Sequence, residues 1–129
     1  MLKRSALLSV GVAVIFSACS RTLQLSLPSD TMVQVVTSHE GADGITRPHE
    51  VSLPPDSLEC QRLRQWVAQN QRGWSQSLAT NPSGGIVVHA GKLSLQFVDS
   101  AVFVWTDRGQ FQKKIREEDY AFLKKRAGI

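Results

Sequence analysis

Cysteine is scarce. Only Cys19 and Cys60 occur in the 129 residues, too few for the disulfide framework that staples small exported domains. No uncharged apolar run approaches the roughly 20 residues that a helix needs to cross a bilayer core; the run of interest, Ala6 to Phe16, is eleven residues long. Neither sign of charge dominates. The net charge is +4, and setting Lys3 and Arg4 aside leaves thirteen bases against eleven acids. That small excess, with no aromatic side chains interleaved among the bases, gives no nucleic-acid footprint. Internal repeats and low-complexity tracts are absent as well. So are the Gly-x-Ser-x-Gly elbow, a phosphate-cradling glycine loop and a helical His pair at spacing four. What is present is ordinary globular usage, 42% hydrophobic and 20% charged, at a length that holds one domain.

The chain begins Met1-Leu2-Lys3-Arg4, a short basic start, and then runs through Leu7, Leu8, Val10, Val12, Val14 and Ile15 without a charge. Small residues, Ser17 and Ala18, precede Cys19, and the polar pair Ser20-Arg21 follows. These are the three regions of an export signal, too short for a permanent membrane span. Phe16-Ser17-Ala18-Cys19 resembles the lipobox of bacterial lipoproteins, with Phe16 standing where Leu is usual. The resemblance is confined to this N-terminal segment. It implies that residues 1–18 are removed, that the Cys19 thiol takes a diacylglyceryl group by thioether, and that the new amino terminus is acylated. A thiolate suits that displacement because it is a soft nucleophile. Several acyl chains make a near-permanent foot in the membrane. By the same resemblance, Ser20 behind the acylated residue implies sorting to the outer membrane, with the body on the periplasmic face. The plainer alternative is an ordinary secretory signal with Cys19 free or bridged to Cys60.

Residues 19–30 read as the acylated terminus followed by a tether or an edge strand, because Leu23, Leu25 and Leu27 alternate before Pro28-Ser29-Asp30 breaks the pattern. Residues 31–129 read as one small α+β domain. Thr31 to Ser38 is β-branched and reads as a strand, a polar loop holds Gly41 to Gly44, and Glu50 to Leu53 is a returning strand stopped by Pro54-Pro55. Asp56 and Glu59 have capping-box spacing at the start of a helix. Its stripe of Cys60, Leu63, Trp66 and Val67 faces a core. Gly73 suits the position after that helix, with Trp74 following as the most exposed of the three tryptophans. Thr80 to Gly85 is a loop. Then Ile86–Ala90, Leu93–Val98, Ala101–Thr106 and Gln110–Ile115, separated by two or three turn residues, predict a four-stranded antiparallel meander. Leu93, Leu95 and Phe97 share one strand face, and Ala101, Phe103 and Trp105 another; both sets are expected to cover the helix. Glu117-Glu118-Asp119 and Lys124-Lys125-Arg126 bracket a last helix with charges that suit its dipole, and Tyr120 and Leu123 face inward.

Few residues offer chemistry. His39 and His49, flanking a loop with Asp43, are weak candidates for metal ligands, since zinc needs three or four ligands at one point; no metal or other cofactor is assigned. His89 lies within a strand with no partner legible. Cys60, on a helical apolar face, reads as inert. The charge is unevenly placed: residues 19–60 hold two bases against six acids, whereas residues 61–129 hold eleven bases against five acids. Lys113, Lys114 and Arg116, with Lys124, Lys125 and Arg126, form a candidate basic surface for an anionic envelope component or a protein partner. The plain alternative is a solvated face with lysines guarding a strand edge. The expectation is a non-catalytic binding, inhibitory or assembly-support module of the bacterial envelope, held at the membrane through its lipid. The alternative is a small envelope hydrolase using His89 or the His39/His49 loop.

Overall fold

A computed structural model describes residues 20–77 and 84–129; the lipobox and its Cys19 lie outside the described residues, as does most of the loop expected at Thr80 to Gly85. Seven strands form one sheet: β1 (Val33–Glu40), β2 (Thr46–Leu53), β3 (Ser75–Gln76), β4 (Ile86–Ala90), β5 (Leu93–Val98), β6 (Ala101–Thr106) and β7 (Gly109–Lys114). Their order is β2-β1-β4-β5-β6-β7-β3, and every neighbouring pair is antiparallel. The α+β class therefore holds, but a four-stranded meander falls short of the sheet. The N-terminal pair joins it through β1 and β4, where Val35 lies opposite Val88, and β3 adds an edge strand against β7.

Two helices lie on one side, α1 (Leu58–Gln69) and α2 (Ala121–Ala127), the latter preceded by a 3-10 turn over Glu117–Tyr120. Strand alternation decides what they cover. Val33 and Val35 of β1, Ile86 and Val88 of β4, Leu95 and Phe97 of β5, Val102 and Val104 of β6 and Phe111 of β7 are all buried. They meet Cys60, Leu63, Trp66 and Val67 of α1 and Leu123 and Ala127 of α2. A chain of aromatic contacts crosses this core. Trp74 meets Trp66 edge-on at 6.4 Å, Trp66 meets Phe97 at 5.3 Å, and Phe97 lies 5.1 Å from Tyr120.

The helix ends explain their own boundaries. Ser57, not Asp56, is the N-cap of α1: its Oγ accepts the Cys60 amide at 3.2 Å, so the Asp56/Glu59 capping box does not form. At the other end the Trp74 indole N–H donates to the Asn70 carbonyl at 2.7 Å, which satisfies an orphan acceptor. Trp74 is thus fully buried rather than exposed. Gly128 closes α2 with φ +77°, the left-handed conformation that favours glycine. Gly85 has φ +74°, and a Cβ there would fall 2.2 Å from the Phe97 carbonyl oxygen, so the approach of β4 to β5 requires glycine.

The N-terminal segment is not a free tether. Arg21 and Trp74 exchange two backbone hydrogen bonds, 2.7 and 3.1 Å, and the Leu23 amide donates to the Gln71 carbonyl at 2.7 Å. The Gln71 side chain then imitates a strand partner for Leu25, accepting from its amide at 2.7 Å and donating to its carbonyl at 3.0 Å. Leu23 and Leu27 are buried, and Leu25 packs against the core. The alternation of leucines records this docking, although the only ladder contact is the single bridge between Arg21 and Trp74.

Candidate functional site

On the sheet face opposite the helices, the two described ends of the connection between β3 and β4 are held by side chains of the sheet, Ser77 by Gln110 and Gly84 by Gln96. Cross-strand register lays the side chains of that face out in rows. One row runs Glu50, Val36, Val87, Gln96, Phe103, Gln112; the next runs Ser52, Gln34, His89, Ser94, Trp105, Gln110. Phe103 and Trp105 are each partly exposed here, with Ala101 beside them. This corrects the expectation that Ala101, Phe103 and Trp105 cover α1. Val102 and Val104 point that way instead, both fully buried. Beyond Glu50, every side chain in the two rows is uncharged when its histidine is neutral. Ser52 donates to Gln34 at 2.9 Å, His89 Nδ1 and Ser94 Oγ lie 3.0 Å apart, and buried Gln96 donates to the Gly84 carbonyl at 2.8 Å. Two partly exposed rings two positions apart on one strand, among amide and hydroxyl groups, offer stacking area and hydrogen bonds together.

The β1–β2 hairpin extends well beyond β4, which pairs only with Gln34 to Val36. On this projecting arm His39 and His49 do come together, ring centroids 5.0 Å apart, and His39 Nε2 lies 2.8 Å from Thr37 Oγ1. Among the described residues no group of three His, Cys, Asp or Glu side chains converges, so this pair lacks the third ligand that a zinc site needs. Asp43 is engaged by Arg47 through a two-pronged contact of 2.7 and 3.1 Å. That guanidinium, with the Ile45 amide, lowers the Asp43 carboxyl below its ordinary range.

The six bases singled out by sequence do not share one surface equally. Lys124 lies 3.7 Å from Glu117, Arg126 lies 3.9 Å from Glu59, and Arg116 reaches Asp119 at 4.0 Å, so these three sit among acids on the helical side. Lys125 and Lys114 are exposed. Lys113 is different. Its Nζ donates to the Arg72 carbonyl at 2.7 Å and stands 6.0 Å from the Trp74 ring, and partial burial lowers its ammonium below the usual lysine value. With Arg72, Thr22, Leu23 and Gln24 it lines a shallow cleft beside the docked N-terminal segment. Cys60 is buried with its Sγ 3.6 Å from the Leu53 carbonyl, a packing position.

The outer-face aromatics were missed, yet a signal was there. A two-residue turn at Asp99-Ser100 sets Val98 opposite Ala101, which sets Phe97 opposite Val102 and Leu95 opposite Val104. Directly opposed residues share a face. Comparison of the chain with protein families, with curated proteins and with solved structures found no match.

Proposed function

We propose that this chain is a lipid-anchored protein of the bacterial envelope whose body is a non-catalytic binding module, and that the outer sheet face around Phe103 and Trp105 receives the partner. The lipobox resemblance of Phe16 to Cys19 supports the anchor and, through Ser20, placement at the periplasmic face of the outer membrane. The observation that carries the binding role is the partial exposure of Phe103 and Trp105 on a face lined by Gln34, Ser94, Gln110 and Gln112. Rings left in contact with water among uncharged polar groups are the usual anchors of a recognition surface.

The test is affinity capture from detergent-solubilised envelope. A partner retained by the parent chain and lost from a Phe103→Ser, Trp105→Ser double variant of unchanged thermal stability is the expected result; equal retention by both overturns the assignment of the face. A Cys19→Ser form should leave the membrane fraction. One observation favours a hydrolase, the 3.0 Å contact between His89 and Ser94. Ester hydrolysis abolished by Ser94→Ala would carry that second reading.

A further inference from the structure

Arg21 is fixed to Trp74 by two backbone hydrogen bonds, and Cys19 is two residues upstream. Two residues span at most about 7 Å, less than the Debye length of about 10 Å at 0.1 M salt. If Cys19 is acylated, no free linker separates the bilayer surface from this edge of the body.

Three bases gather at that edge, while Asp107 and Arg108 of the β6–β7 turn line the neighbouring cleft beside Thr22. Arg21 and Arg72 are exposed, and Lys113 is held between the Arg72 carbonyl and the Trp74 ring. None of the three has a carboxylate within 4.0 Å among the described residues, and residues 1–19 and 78–83 contain no Asp or Glu. The far edge differs. The β1–β2 hairpin, separated from β3 by the width of the sheet, about 29 Å at the usual strand spacing, carries Glu40, Asp43 and Glu50 against Arg47. The hairpin tip and the β3 edge thus differ in charge, while Lys124, Lys125 and Arg126 belong to α2, which packs against β1 and β2.

We infer that Arg21, Arg72 and Lys113 form a surface for the anionic phospholipid head groups of the leaflet that holds the anchor. This contact turns the basic edge toward the bilayer and the acidic hairpin away from it. The inference rests on the lipid-anchor reading. A base held near an anionic leaflet favours contact by about fivefold, so three together favour this orientation by roughly a hundredfold.

The full chain, purified from envelope in detergent, is reconstituted into phosphatidylcholine vesicles and into 3:1 phosphatidylcholine–phosphatidylglycerol vesicles containing a head-group nitroxide lipid. A fluorophore is placed at Ser75→Cys on β3 or at Ala42→Cys on the hairpin tip, both exposed positions; buried Cys60 stays unlabelled. The expected result is quenching several-fold stronger at position 75 than at 42 in the anionic vesicles, with the contrast reduced by 0.5 M salt and by Arg21→Glu with Arg72→Glu. Quenching that is equal at the two positions, or a contrast equally strong in neutral vesicles or in high salt, overturns the inference. The mass of the N-terminal peptide from the same preparation reads the anchor separately. An unlipidated Cys19 ends the anchor reading, and the contrast between added anionic and neutral vesicles still decides whether this edge prefers acidic lipid.

Discussion

Replacing Trp74 should damage more of the molecule than any other single change. Its side chain is fully buried, stands edge-on to Trp66 at 6.4 Å and supplies the N–H that satisfies Asn70 at the end of α1. Its backbone holds Arg21 on one side, and the strand that follows it pairs with β7. Truncation of a buried tryptophan to alanine costs about 3–5 kcal/mol. Trp74→Phe keeps most of the ring but leaves the Asn70 carbonyl without its donor, which costs about 1–3 kcal/mol. Against the total stability of roughly 5–15 kcal/mol usual for such a domain, the alanine variant should be close to marginal. At roughly 4 °C per kcal/mol its melting temperature should drop by more than 10 °C. Urea unfolding followed by far-ultraviolet circular dichroism gives the loss without relying on tryptophan emission. Amide exchange adds locality: Arg21 and Leu23 should exchange faster in Trp74→Ala before global unfolding. A loss below about 1 kcal/mol, with both amides still protected, would refute this account of how the N-terminal segment is held.

Other perturbations probe separate contacts. Val104→Ala, at a site with no exposure, should cost about 2 kcal/mol and Phe103→Ala less, despite the larger side chain removed; the reverse order in urea unfolding would mean the strand faces the other way. Ser57→Ala removes the cap on the Cys60 amide and should cost about 1 kcal/mol by the same measurement. Tyr120 donates to the Asp99 carbonyl at 2.7 Å, so Tyr120→Phe should cost about 1 kcal/mol at neutral pH. Burial, with the charges of Glu117 and Asp99, raises its phenol above the ordinary value of 10.0. In the unfolded chain the phenol ionises first, so its contribution is complete below pH 10 and is lost as pH rises through the raised value. The parent should therefore lose stability relative to Tyr120→Phe above pH 10, and parallel curves would contradict the shift.

Much of this architecture was legible from local chemistry. The turns at Gly91-Lys92, Asp99-Ser100 and Asp107 to Gly109 delimit β4 to β7, with β7 one residue earlier than expected. The apolar stripe of α1 and the inward Tyr120 and Leu123 were also readable. Long-range pairing was not. Nothing in Gln34 to Val36 announces β4 as a partner, and a two-residue strand such as β3 has no period to detect. In β6 every residue from Ala101 to Trp105 is apolar, so alternation alone offers two faces, and only register with Leu95 and Phe97 selects the valines. Trp74 looked exposed because it follows a glycine turn, but its indole closes the helix before that turn. His39 and His49 meet only because the hairpin register sets Thr37 opposite His49, two positions from His39.

The lipid anchor proposed at Cys19 is what would decide where all of these surfaces act. Mass spectrometry of the mature amino-terminal peptide from a Gram-negative host measures it directly. The account predicts a peptide beginning at Cys19 and carrying a thioether-linked diacylglyceryl group and an amide-linked acyl chain. An unmodified Cys19, or a peptide still extending back through Leu8 to Ala18, would contradict it.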